Sequence, residues 1–156
     1  MSTSSDINGR TLHLVDLENL AGDPRVGTET ALRVFDDYLD AAHWQPGDHV
    51  ILASNPGLIG RVMYDIPVPA NVHAMPGHDG ADTKLLACAP PELVVKRYGR
   101  LVVGSGDGIF AARAALVRDG GVTVEVVARP NGCSTRLHAF DCRYLTPRAC
   151  DIALAA

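Results

Sequence analysis

The sequence predicts an α/β protein with three layers, α/β/α, around a mostly parallel central sheet of about five strands. Three observations predict it. Short apolar runs rich in β-branched residues recur along the chain with helical stretches between them, the alternation that builds crossover-connected parallel sheets. The runs are continuously apolar, as strands covered on both faces require. Two of them end abruptly in acidic or glycine-rich segments, and the carboxyl ends of strands are where such sheets bind ligands.

The elements follow in order. Residues 11–15 (Thr-Leu-His-Leu-Val) are the first buried run, delivering Asp16 at its carboxyl end. After a Gly/Asp/Pro turn at 22–24, residues 28–42 place Ala31, Leu32, Phe35, Tyr38 and Leu39 at helical spacing, which makes an amphipathic helix. Residues 49–53 are the second strand; the turn at 54–57 leads into a short helix over 58–64, and 71–74 form a weaker third strand. A helix starts near Ala81 with Leu85 and Leu86 inward, Pro90-Pro91 ends it, and a further short helix spans 92–98. Residues 100–103 are the fourth strand, opening into Gly104-Ser105-Gly106-Asp107-Gly108. A helix over 109–118 follows, with Phe110, Ala114 and Val117 inward. The fifth strand is 122–128, a last helix capped by Ser134 covers 134–140, and 142–145 add an edge strand.

Composition bounds the rest. With 156 residues, 47% of them hydrophobic and 21% charged, the chain matches an ordinary globular protein, and one domain over 11–156 is expected after a disordered tail at 1–10. A chain of this size buries roughly two thirds of its unfolded surface, so its core can hold it without cross-links. The opening residues lack the basic and apolar regions of a signal peptide, and no apolar stretch is long enough to span a bilayer. Cys88, Cys133, Cys142 and Cys150 lack C-x-x-C spacing and read as free thiols of a cytoplasmic protein. A net charge of −4 argues against a non-specific nucleic-acid coat but not against a nuclease, whose acidic centre carries part of that charge.

Chemistry concentrates in two segments, Asp16-Leu17-Glu18-Asn19 after the first strand and Gly104 to Gly108 after the fourth. Polar side chains directly after buried runs are not explained by core packing. If the two strands are neighbours, Asp16 and Asp107 converge. Asp82 is a third acid, in a first helical turn where negative charge is favoured in any case. Carboxylates brought together repel, and stay ionised only with a cation between them. Hard oxygen ligands select Mg²⁺ or Mn²⁺ over zinc, and such ions serve phosphodiester hydrolysis.

Leu14-Val15-Asp16-Leu17-Glu18-Asn19-Leu20 resembles the opening motif of NYN domains, in the PIN-like nuclease superfamily. Gly80-Ala81-Asp82-Thr83-Lys84-Leu85-Leu86 is similar to that family's middle motif. Val102-Val103-Gly104-Ser105-Gly106-Asp107-Gly108-Ile109-Phe110 resembles its third. The resemblance runs from about Thr11 to Leu145. It implies a PIN-like fold and a metal-dependent endoribonuclease, with Asp16, Asp82 and Asp107 as catalytic Mg²⁺ or Mn²⁺ ligands and Asn19 supporting them.

One position departs from the pattern: Ile109 stands where the family usually has a second Asp. That opens a second reading, a degenerate domain that binds RNA or a protein partner without cutting, unless Asp79 or Glu18 supplies the missing oxygen. Ser105, Arg25, Lys84, Thr135 and Arg136 are the candidates for holding the RNA substrate, Ser105 also as a water-orienting hydroxyl. A homodimer would enlarge the substrate groove. A phosphatase resembling the haloacid dehalogenases would share the acid after strand one, but that family places Asp two residues later, where this chain has Glu18.

Overall fold

In the computed structural model, which describes residues 9–146, six segments form strands: β1 (Thr11–Asp16), β2 (His49–Ser54), β3 (Asn71–Ala74), β4 (Arg100–Gly104), β5 (Thr123–Ala128) and β6 (Asp141–Tyr144). They make one sheet in the order β3-β2-β1-β4-β5-β6, and every pair is parallel. Six α-helices connect them: α1 (Leu17–Ala21), α2 (Thr28–Ala41), α3 (Pro56–Val62), α4 (Gly80–Cys88), α5 (Pro91–Arg97) and α6 (Ala111–Asp119). The expected α/β class and layering are observed. The strand count is six rather than about five, because the edge segment pairs with β5 through Glu125 to Ala128.

A parallel sheet must bury both faces, since its crossover helices lie on them. One face gathers Leu12, Leu14, Ile51, Leu101, Val103, Val124 and Val126 under α4, α5 and α6. The other gathers Val15, Val50, Leu52, Val102 and Val127 under α1, α2 and α3. Neighbouring residues of one strand thus feed opposite cores, as a period of two demands. On α2, Ala31, Phe35 and Tyr38 are fully buried, and Leu32 and Leu39 flank them.

Two elements differ from expectation. The segment 134–140 is no α-helix: only a 3₁₀ turn forms at Thr135–Leu137, although Ser134 caps it by accepting from the Arg136 amide. Its core contacts, buried Leu137 and half-buried Phe140, span a single turn, too short a stretch to stabilise a helix by packing. Conversely, the acidic segment after β1 begins a one-turn helix, α1, anchored by buried Leu17 and Leu20. Residues 1–8 of the expected tail, and residues 147–156 with Cys150, lie outside the described residues. Cys88, Cys133 and Cys142 are free thiols.

Candidate active site

From β1 the chain moves outward to β2 and β3, then returns past β1 to lay down β4, β5 and β6. Loops leaving β1 and β4 therefore diverge, and their strand ends border a crevice. Asp16 is the last residue of β1, and pairing of Val15 with Gly104 sets the segment after β4 beside it.

Each acid is fixed by a local turn. Asp16 caps α1, its Oδ1 accepting from the Asn19 amide at 3.3 Å. Asp82 sits in the first turn of α4, its Oδ1 accepting from Thr83 Oγ1 at 3.3 Å. Asp107 caps the 3₁₀ turn Gly108–Phe110, its Oδ1 accepting from the Ile109 amide at 3.0 Å. All three line one pocket of about 250 Å³, together with Glu18, Asn19 and Asp79. A larger cavity, about 430 Å³, opens at the amino ends of β2 and β3 beside His49. There the histidine ring is already bonded to the Tyr98 hydroxyl at 2.7 Å, and no acids converge.

Burial and mutual proximity shift the titration of two of these acids. Burial pushes the Asp16 carboxyl up to about 7, opposed by the Asn19 amide and reinforced by the charges of Glu18, Asp82 and Asp107. Asp82 is also raised, first by burial and then, against its bonds to Thr83, by Asp107 and Asp79. Among the described residues, no ion pair involves Asp16, Asp82 or Asp107.

Asn19 and Glu18 hold the scaffold. Asn19 Oδ1 accepts from the Gly106 amide at 2.8 Å, tying α1 to the loop that carries Asp107. Glu18 Oε1 accepts from the Asn55 amide at 2.6 Å and from Ser54 Oγ at 3.2 Å, tying α1 to the end of β2. Gly106 is packed so closely that a Cβ there would lie 1.7 Å from the Gly132 carbonyl oxygen. Its own carbonyl accepts from the Ser134 amide at 2.8 Å. Asp79 is exposed at the pocket rim, and Ile109 is 42% exposed.

The five expected substrate residues lie elsewhere. Ser105 is fully buried, its Oγ accepting from the Asp107 amide at 3.1 Å, so it shapes the loop rather than facing solvent. Arg25 is exposed, with its amide bonded to Asp23. Lys84 is half-buried on α4, near enough to His73 to help lower that ring's pKa after burial. Thr135 and Arg136 are exposed in the 3₁₀ turn. None of the five lines the pocket, whereas Arg129, which sequence reasoning passed over, does. Its signal was positional: it follows β5 directly, as Asp16 closes β1.

The donors offered are carboxylate and amide oxygens, the chemistry of a hard divalent cation. Such an ion would offset both the burial and the neighbouring negative charges that raise Asp16. The set is not preassembled: among the described residues, no three His, Cys, Asp or Glu side chains already form a group that could hold a metal ion. The fit is one of donor chemistry and placement, and a bound ion would have to draw the carboxylates inward.

No known family model matches the chain. No curated protein matches it either. Among solved structures, it is similar to a crystal structure of a protein of unknown function from Vibrio parahaemolyticus. The TM-score is 0.59 at 14% identity, over 92% of this chain and 96% of that one. At that identity, the similarity speaks to the fold alone. It extends over nearly the whole of both chains, so the three-layer parallel architecture has an experimental counterpart.

Proposed function

We propose that the pocket beside β1 and β4 binds one Mg²⁺ or Mn²⁺ on Asp16, Asp82 and Asp107 and hydrolyses RNA phosphodiester bonds. The observation that carries this reading is three acids, from three separate elements, lining one pocket without a basic partner. Asp16 and Asp82 are buried and Asp107 is half-buried, and buried carboxylates arranged only for stability are paired. Unpaired, they destabilise the fold, and a ligand is the physical reason for keeping them together.

When bound, such an ion would lower the pKa of a water and stabilise charge on a phosphoryl oxygen. The chain's own residues supply position. Asn19 holds the Gly106 amide and so the Asp107 loop; Glu18 holds the end of β2. Thr83 and the Ile109 amide each engage one oxygen of their neighbouring acid, restricting how that carboxylate turns. The choice of RNA rests on the NYN-like motifs. No helix of the described residues is long and apolar enough to cross a membrane, and a cytoplasmic setting accords with the free thiols.

Purified protein is expected to cleave single-stranded RNA with Mn²⁺ or Mg²⁺, to stop with EDTA, and to lose at least about a hundredfold in rate on Asp107→Asn. Cleavage surviving both treatments would refute the metal mechanism. Ile109 favours a second reading, RNA binding without cutting, because its exposed side chain brings no oxygen to the rim. Ile109→Asp is the discriminating variant: a nuclease limited by that missing acid gains activity, whereas a pure binding domain remains silent.

A further inference from the structure

Arg129 follows β5 at the carboxyl edge of the sheet and lines the same pocket as Asp16, Asp82 and Asp107. An arginine among carboxylates would ordinarily be their ion-pair partner. Here it is not. Among the described residues, Arg129 makes no ion pair and no side-chain hydrogen bond, and no basic group lowers the Asp16 carboxyl.

Its path explains the separation. The side chain passes through a slot between two glycines: a Cβ on Gly22 would lie 3.0 Å from Arg129 Nε, and one on Gly132 would lie 2.6 Å from Cγ and 2.9 Å from Nε. Gly22 is needed for its backbone as well, since it ends α1 at φ 79°. Gly132 has no left-handed backbone to account for it; its missing side chain leaves room for the arginine. The exposed side chain thus lies against both glycines, and its guanidinium donors have no acceptor among the described residues.

We infer that Arg129 binds the substrate's phosphate at this pocket, its guanidinium fork donating to non-bridging oxygens of the phosphodiester. The inference rests on the nuclease reading and deepens it. Three carboxylates around one divalent ion leave a net negative site, which repels a polyanionic backbone unless a cationic group stands beside it. A guanidinium matches two phosphate oxygens at once, is always charged, and resists capture by a single carboxylate when its stem is held. Gly22 and Gly132 supply that hold.

The test combines binding and cleavage. Affinity for a short labelled single-stranded RNA, measured in EDTA across a range of KCl, reports phosphate contacts without metal; cleavage with Mn²⁺ reports the loaded site. Arg129→Ala is expected to weaken binding, to reduce the slope of log affinity against log salt by about 0.7, and to slow cleavage at least about tenfold. Arg129→Lys keeps the charge and guards against a folding artefact; it should preserve the slope while cleavage still falls, because the fork is lost. Gly132→Ala, which blocks the stem, should weaken binding with the charge intact.

An unchanged salt slope and unchanged cleavage in Arg129→Ala would overturn the inference and leave the nuclease reading standing. RNA binding with the expected slope change but no cleavage by any variant would support Arg129 and overturn the nuclease. A wild type that neither binds nor cleaves RNA would overturn both.

Discussion

Asp16 is the residue whose energetics are most informative. Its folded pKa of about 7 lies above the unfolded value of 3.8, so between those two values the native state holds a proton that the unfolded chain has released. Stability without metal therefore falls as pH rises through this window, by a few kcal/mol in all. Asp16→Asn removes the titration: the variant is expected to melt higher than wild type at pH 8 and to differ less at pH 4. Thermal unfolding in EDTA across that range checks it, and a variant less stable at pH 8 would contradict the burial argument. A divalent ion competes with the same proton. The Mn²⁺-induced rise in Tm should accordingly grow from pH 5 to pH 8 in wild type and vanish in Asp16→Asn.

Among elements, the junction of α1, the Asp107 loop and the loop after β5 decides whether the acids meet. Asn19 provides one bond across it, to the Gly106 amide. Asn19→Ala leaves that amide without its acceptor, which costs about 1–3 kcal/mol. Asn19→Asp keeps an acceptor but adds a carboxylate to the acidic pocket, so it should recover more of the lost stability with Mn²⁺ than in EDTA, and urea denaturation in both conditions separates the bond from the charge. Gly106→Ala drives a methyl into the Gly132 carbonyl and is expected to be worse than either. The clash meets backbone rather than a flexible side chain, so relief requires one loop to move.

These same elements divide what was legible in the sequence from what was not. Asp16 and Asp107 could each be placed at a strand end from the apolar runs, whereas their meeting depended on β1 and β4 being neighbours, which the parallel pairing of the two strands supplies. Asn19 could be named, but not its partner, since a contact across 87 positions has no local signal. Ser105 was legible as a turn residue, and only its full burial removes it from the surface. Arg129 was hidden because its meaning depends on Gly22, more than a hundred positions away, as well as on nearby Gly132. The segment after Ser134 carries a good cap, and a cap alone does not make a helix where only Leu137 and, in part, Phe140 reach the core.

Across the whole molecule, buried polar groups are treated differently at the two ends of the sheet. Toward the amino ends the buried ionisable side chains have partners. His13, fully buried, bonds Asp48 through Nε2 at 2.9 Å and Tyr38 through Nδ1 at 2.8 Å. The carboxylate can only accept, so Nε2 carries the proton, and the neutral ring accepts from the Tyr38 hydroxyl. Burial lowers this histidine's pKa despite Asp48. Glu125 is bridged by both Arg100 and Arg143, tying β4, β5 and β6. At the carboxyl ends the acids remain unpaired around a pocket. A fold that neutralises its buried charges at one end and leaves them exposed to each other at the other has placed its strain where a ligand can relieve it.

The most direct test is a Mn²⁺ titration by calorimetry of wild type and of the single variants Asp16→Asn, Asp82→Asn and Asp107→Asn at pH 7.5. One ion per chain is expected in wild type, with each variant weakening its affinity at least about tenfold, a change of about 1.4 kcal/mol. No binding by wild type, or binding indifferent to all three substitutions, would contradict the claim that these acids share a cation.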